Sequence, residues 1–342
     1  MIDLLPRLPQ YKANLHCHTV ISDGKWTPEQ VKEGYKSHGY SVVAYTDHEL
    51  FIPHPELTDS TFVALHATEV GLDEKEPKSN HNRVLHLGLI ALDPDNRNNP
   101  VWNRQKYYAT YFNRDYVPQN CVLDSSPDFW REYSHEGINK MIKAAKENGF
   151  YVTYNHPEWS LESYNDYMGY EGFDALEIMN YGSSLDGTDA DDAYVYDHML
   201  KGGKRIFCNA GDDNHNPRPE GSSRFDSYGA WTMIVAEKLE YRTVTKALSE
   251  GFTYASTGPS FRYIGYDPET KKIHVEFDPC DRVFMLGNVR RYRSKFACDY
   301  DEPITSADFD AFPDDGYVRL ILIDKDGKKA FSRAYFVDEF LK

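Results

Sequence analysis

Imidazoles and carboxylates recur at the ends of apolar runs along the first 215 residues, which is the placement metal coordination needs. His16 and His18 flank Cys17. Side chains alternate in an extended segment, so both imidazoles face one side and Cys17 the other. Such a pair can grip one ion while Cys17 packs. Asp213-Asn214-His215 repeats the arrangement with one carboxylate and one imidazole. Asp23, His48, Glu69, His86 and His156 supply further donors, and a Glu such as Glu69 can bridge two ions through its two oxygens. Mixed imidazole–carboxylate sets suit Zn, Mn or Fe better than Ca or Mg. A lone His-x-His arises often by chance. Ligand-type residues at one strand end after another do not.

The elements that must position these residues are legible as alternating apolar strands and helices. Strands are expected at residues 13–17, 41–45, 62–66, 84–90, 150–154, 175–179 and 205–208. Thr27-Pro28-Glu29 opens a helix reaching about residue 38, with Thr27 as cap and Pro28 at its first position. A helix over 138–147 stops at Asn148-Gly149 and feeds the next strand, and one near 193–200 ends in Gly202-Gly203. Helix–Gly–strand units of this kind imply a largely parallel sheet, closed or nearly closed into a barrel. All the strand ends of such a fold open on one face, where its chemistry sits. His86 falls within its strand, and by spacing alone it is equally well placed to be a hydrogen-bonded core residue. His54, His66, His81, His135, His198 and His274 lack matching context and are assigned to structure or surface. Glu158 and Glu177, also near strand ends, are assigned to structure, with support of the ligands as the alternative, and Asp212 to orienting its neighbours.

Residues 91–135 interrupt the rhythm with an aromatic-rich stretch holding Trp102, Tyr107, Tyr108, Tyr111, Phe112, Tyr116 and Trp130. Long irregular segments are usually lids, binding loops or insertions; the competing reading is a structural excursion covering the outside of the barrel. After Thr257-Gly258-Pro259 the texture becomes that of antiparallel strands, at 272–277, 317–323 and 330–337, with a turn at Asp324–Gly327. The expected division is a unit carrying the candidate ligands over 1–261 and a small β domain over 262–342.

With 54 acidic against 38 basic residues, the formal charge of -16 argues against a nucleic-acid surface. An anionic substrate would need local cations, which bound divalent metals provide. No apolar run approaches the length of a membrane span, and the N-terminus lacks a secretory pattern. Five scattered cysteines suggest reduced thiols in the cytoplasm.

Taken in order, Asn14-Leu15-His16-Cys17-His18-Thr19, Ser22-Asp23-Gly24, Thr46-Asp47-His48, Glu69, His86, Asn155-His156-Pro157 and Gly211-Asp212-Asp213-Asn214-His215 closely resemble the PHP (polymerase and histidinol phosphatase) superfamily. The resemblance spans roughly residues 10–260. It implies an α/β fold, a distorted seven-stranded (β/α) barrel with two or three divalent metals. One ion would lie on His16, His18, Glu69 and Asp213, and a second on Asp23, His48 and His215. A third would lie on Glu69, His86 and His156. Some relatives carry His where this chain has Asp23, and Gly211-Asp212-Asp213 departs from the more usual Gly-Ser-Asp. The trailing β region is similar, more faintly, to the carbaryl-hydrolase-type branch.

The expected activity is phosphoester hydrolysis of a small phosphorylated metabolite or nucleotide by metal-activated water. His16, His18, Asp23, His48, Glu69, His156, Asp213 and His215 form the candidate catalytic set. Arg83, Arg224 and Lys25 are candidate cations for the developing charge. Two readings compete: metal-dependent hydrolysis of a carbamate, carboxylic ester or amide, and a non-catalytic metal-binding module. Amidohydrolases also begin with His-x-His but usually need a carboxylated Lys on the fourth strand, and residues 83–92 contain none.

Overall fold

A computed structural model of the protein describes residues 1–74, 82–103, 128–188, 191–300 and 302–341. The chain begins with β1 (Ile2–Leu5) and β2 (Gln10–Asn14), then α1 (Pro28–Ser37) and β3 (Val42–Tyr45). Next come β4 (Val63–Asp73), β5 (Val84–Ala91), α2 (His135–Glu147), β6 (Phe150–Tyr154) and the short α3 (Tyr164–Tyr167). β7 (Ala175–Asn180), α4 (Tyr181–Leu185), α5 (Ala193–Lys201) and β8 (Phe207–Gly211) complete the part that carries the candidate ligands. Local chemistry accounts for the boundaries. Thr27 caps α1 by accepting from Gln30 N at 3.2 Å, while the Gln30 side chain accepts from Thr27 N at 2.9 Å. α2 starts three residues earlier than its apolar periodicity indicates, because Ser134 caps it by accepting from Gly137 N.

In this region β2, β3 and β4 pair in parallel, as do β6, β7 and β8. β5 lies antiparallel between β4 and β6. β4 is twice the expected length, since its first half pairs with β3 and its second half with β5 (Ala67↔Ile90 through Asp73↔Val84). Glu69 therefore sits inside a strand rather than after one. No regular ladder joins β8 back to β2 among the described residues. Their extensions instead meet at a parallel bridge between Cys17 and Asn214, where His18 N donates to Asn214 O at 3.0 Å and Asp213 N to His16 O at 2.9 Å.

The rest of the chain is antiparallel: β9 (Trp231–Val235), α6 (Tyr241–Glu250), β10 (Thr253–Ser256), β11 (Phe261–Asp267), β12 (Lys272–Cys280), β13 (Arg282–Gly287), β14 (Ser294–Phe296), β15 (Ile304–Asp310), β16 (Tyr317–Ile323), β17 (Lys329–Ser332) and β18 (Tyr335–Phe336). The large sheet runs on from β2 through β9, β10, β17, β16 and β13 to β14, while β1, β11, β12 and β15 form a smaller second sheet. The molecule is thus mixed α/β with a separate antiparallel sheet. Packing crosses the expected 261/262 division: β1 pairs with β11, and Phe331, Ala334 and Phe336 share a hydrophobic cluster with Tyr196 and Met199 of α5.

One buried ion pair ties the end of the aromatic-rich stretch to the ligand-bearing strands. Arg131 donates from Nη1 and Nη2 to the two Glu49 oxygens at 2.7 and 2.6 Å, and also to the carbonyls of Val101 and Gly71. Both side chains are almost wholly buried. Removing one partner strands a charge in a low-dielectric interior. Arg131→Ala is expected to lower unfolding free energy by roughly 3–5 kcal/mol, read from the urea midpoint. An unchanged midpoint would mean Glu49 finds water or another donor.

Candidate metal centre

The extended chain beyond β2 places His16 and His18 on one side, and Cys17 packs on the other against Val31, Tyr35 and Val43. Asp47 is not part of the donor set. Its carboxylate accepts from Thr19 N, Thr19 Oγ1, Ser22 N and Ser22 Oγ at 2.8–3.2 Å, pinning the loop that carries Asp23. Asp212 likewise spends its oxygens on Tyr35 Oη and the amides of Tyr228, Gly229 and Ala230. Burial pushes its carboxyl up to about 6 despite those bonds. Two candidate ligands, His156 (φ 26°) and Asp213 (φ 52°), occupy the left-handed region that non-glycine residues avoid, a strain that functional sites concentrate.

The structure brings all nine candidate ligands together. Glu69, buried inside β4, is the hub: Oε1 lies 3.1 Å from His16 Nε2, 3.2 Å from His86 Nδ1 and 3.4 Å from His156 Nε2. Its Oε2 lies 3.2 Å from His48 Nδ1 and 3.4 Å from His18 Nε2. Asp213 Oδ1 approaches His18 Nε2 at 3.0 Å and His16 Nε2 at 3.2 Å. On the outer side Asp23 approaches His215 Nε2 at 3.4 Å and His48 Nε2 at 3.7 Å. Donor atoms fall into overlapping groups, each within 4.8 Å: His16, His18, Glu69 and Asp213; His18, Asp23, His48 and His215; Glu69, His86 and His156; and His16, His156 and Glu177. His86 sits opposite Gly71, where a Cβ would lie 3.2 Å from its Nε2, so the glycine leaves room for the ring.

Whether these residues fit a metal can be tested on the atoms themselves. Donors about 2.1 Å from a common ion are separated by about 3–4 Å, the range seen here. Ordinary hydrogen bonding does not account for them all, because His18 Nδ1, Glu69 Oε2 and His86 Nδ1 are buried and make no hydrogen bond among the described residues. Native proteins rarely leave such atoms unsatisfied. Charge points the same way. Burial raises the Glu69 carboxyl, but the His16 and His86 imidazoles outweigh it and hold the group well below the usual range. Asp213 is held down likewise, against burial, by His16 and His18. Burial disfavours a charged His18, yet Asp213 and Glu69 push it up to about 10, while burial and the His18 charge take His48 down to about 3. Cationic charge is thus demanded at the centre of the cluster, and the set fits a divalent ion.

Glu177, which sequence reading assigned to structure, is an orienting residue here, as are Asn155 and Asn180, for which the sequence suggested no such role. Glu177 Oε1 lies 2.9 Å from His16 Nδ1, leaving Nε2 to face the cluster, and its Oε2 accepts from His156 N and Asn180 Nδ2. Asn180 also reaches Asp213 Oδ2 at 3.2 Å, and Asn155 donates to Glu69 Oε1 at 2.8 Å. A Cβ at Gly211 would come within 2.7 Å of the His16 Cβ and 3.1 Å of Glu177 Oε1, so only glycine fits beside this pair. The signal in the chain was a carboxylate within the apolar run Ala175–Asn180, whose burial demands a partner. Glu177→Gln is expected to weaken metal affinity about 10–100-fold with folding retained. Calorimetric titration of the metal-free variant checks this, and wild-type affinity would show that His16 needs no such anchor.

The candidate cations separate. Arg83 is consumed by ion pairs with Glu74 and Asp166, so its expected role in binding charge is not supported by its placement. Lys25 Nζ donates to Asp23 O at 3.1 Å beside the cluster. Arg224 lines a cleft of about 620 Å³ together with Asp213, His215 and Trp159. Of the aromatic stretch, Trp102 is buried and Trp130 is exposed, while Tyr107, Tyr108, Tyr111, Phe112 and Tyr116 lie outside the described residues. Among the described residues no helix is long and apolar enough to cross a membrane, and Cys17, Cys208, Cys280 and Cys298 are free.

Fold and site together define a mixed α/β protein with a buried imidazole–carboxylate cluster built to hold cations. No family model matches the chain, and no curated protein matches it. Among solved structures it is similar to a two-domain protein from Bacteroides vulgatus containing a predicted PHP-like metal-dependent phosphoesterase, at 12% identity over 98% of each chain and a TM-score of 0.44. It is also similar to a protein of Bifidobacterium adolescentis, provisionally named a metal-dependent phosphoesterase, at 16% identity over 64% of this chain and 94% of that one, with a TM-score of 0.36. An amidohydrolase from Chromobacterium violaceum, solved with sulfate and no metal, shows 16% identity over 60% of this chain and 88% of that one, again with a TM-score of 0.36. TM-scores below 0.5 do not bear on chemistry, which rests on the side chains above.

Proposed function

We propose that this protein is a metal-dependent hydrolase of phosphoesters, acting on a small phosphorylated molecule. The observation that carries the reading is the hub position of Glu69, whose two oxygens face His16, His86 and His156 on one side and His18 and His48 on the other. His16, His18, Glu69 and Asp213 would hold one divalent ion, Asp23, His48 and His215 a second, and Glu69, His86 and His156 a third. Mn, Zn and Fe suit such donors. When bound, these ions supply a Lewis acid for phosphoryl oxygens and a water of lowered pKa. The protein's own part is to present that surface to a cleft, since Asp213 and His215 belong both to the cluster and to the cleft lining. Trp159 walls the approach, its ring meeting those of His156 and His86 at centroid distances of 4.9 and 5.6 Å. The path from β2 to β8, drawn together at Cys17 and Asn214, supports a distorted seven-stranded barrel as the catalytic unit. In this reading residues 1–261 carry catalysis and 262–342 the accessory β region.

The test is turnover of p-nitrophenyl phosphate, its bis-ester and p-nitrophenyl acetate by protein loaded with Mn, Zn or Fe, with elemental analysis alongside. Metal-dependent cleavage of either phosphate ester, at rates well above acetate, is the expected result. Cleavage of acetate alone would transfer the protein to carboxyl-ester chemistry. Stoichiometric metal with no turnover of any ester would leave a binding module.

A further inference from the structure

The cleft beside Asp213 and His215 is also lined by Arg218 and Arg224, both exposed. Neither guanidinium makes an ion pair or a side-chain hydrogen bond among the described residues. Most arginines of this acidic chain, with 54 acidic against 38 basic residues, pair with carboxylates, as Arg83, Arg131, Arg291 and Arg319 do, whereas Arg97, Arg282 and Arg290 share with these two the lack of an ion pair among the described residues. The lining has little to neutralise them. Asp226 spends its oxygens on the amides of His215 and Asn216 at 2.7–3.1 Å, which leaves exposed Asp186 as the other acid outside the cluster. Two guanidiniums lining one cleft, unpaired among the described residues, suit a carboxylate or a phosphate, which Arg grips through parallel N–H donors.

Resting on the phosphoester reading, we propose that this cleft takes the leaving-group half of the substrate. Arg218 and Arg224 there recognise a second anionic group, a carboxylate or a second phosphate. The scissile group faces the imidazole–carboxylate cluster, and the second anion sits across the cleft on the two arginines. Such local cations also offset the repulsion a doubly charged ligand meets from a protein of net charge -16.

Phosphonates test this without turnover, because their P–C bond resists hydrolysis. Dissociation constants of phenylphosphonate, 4-carboxyphenylphosphonate and 1,4-phenylenebisphosphonate would be measured calorimetrically on the full, metal-loaded chain. One or both probes bearing a second anionic group should bind about tenfold or more tightly than phenylphosphonate, the tighter one identifying the second anion. The double variant R218A/R224A should bring that ratio close to one. A control removing equal charge away from the cleft, R262A/R290A, in β11 and in the loop after β13, should leave it unchanged. A wild-type ratio near one, a ratio that survives in R218A/R224A, or an equal fall in the control would overturn the proposal. Absence of p-nitrophenyl phosphate turnover would instead strike the phosphoester reading, independently of these affinities.

Discussion

Glu69→Ala is expected to lower kcat by roughly a thousandfold or more, a barrier increase of about 4 kcal/mol, and to lower bound metal at the same time. Its two oxygens face five candidate ligands: His16, His86 and His156 through Oε1, His18 and His48 through Oε2. Alanine removes both oxygens and leaves a void among imidazoles, and Asn155 Nδ2 loses its acceptor. Glu69→Gln separates the effects, since it keeps the volume but removes the charge that balances cations. Both variants should retain the wild-type far-ultraviolet spectrum, because β4 is held by ladders to β3 and β5 rather than by this side chain. Turnover within tenfold of wild type at full metal content would show that the hub position is structural and that the metals sit elsewhere.

Stripping the metals with a chelator should lower the melting temperature on the order of 5–10 °C, with recovery on readdition of Mn or Zn. An ion at a thousandfold excess over its dissociation constant stabilises by about 4 kcal/mol per site, and each kcal/mol shifts a chain of this class by a few degrees. The metal-free chain must balance its buried carboxylates with protons instead. His18, at about 10 against an ordinary 6.5, holds such a proton, as does His16, against burial, through Asp213, Glu69 and Glu177. Folded-state values above the unfolded one mean that this stabilisation is complete below pH 6.5 and fades as pH rises through about 10. Metal-free protein should therefore lose stability between neutral and alkaline pH, while loaded protein should lose less. Ion binding should also release protons, which calorimetry in buffers of different ionisation enthalpy measures. A melting temperature indifferent to chelation, with no metal in the purified protein, would remove the basis for a metal centre.

Much of this architecture was readable in the chain. Strand periodicity located β6 at Phe150–Tyr154 and β16 at Tyr317–Ile323 at their observed limits, because apolar runs bounded by Gly and polar turns have few alternatives. β4 was half missed. Its second half alternates less clearly, and its pairing with β5 is a choice made in three dimensions. Likewise β1 reads as an unremarkable apolar start to the chain, and only its ladder to β11 places it in the second sheet.

The sequence by itself determined which donors exist and how neighbours along the chain share a face, as in His16–His18 and Asp213–His215. Those relations follow from the covalent backbone and the two-residue period of extended chain. Only the tertiary structure decided which partners each polar group finds: Arg83 spent on Glu74 and Asp166, Glu177 fixed on His16, Arg218 and Arg224 left without a carboxylate among the described residues. A charge's role depends on through-space distances of a few ångströms between residues far apart in order, and local pattern carries no record of them.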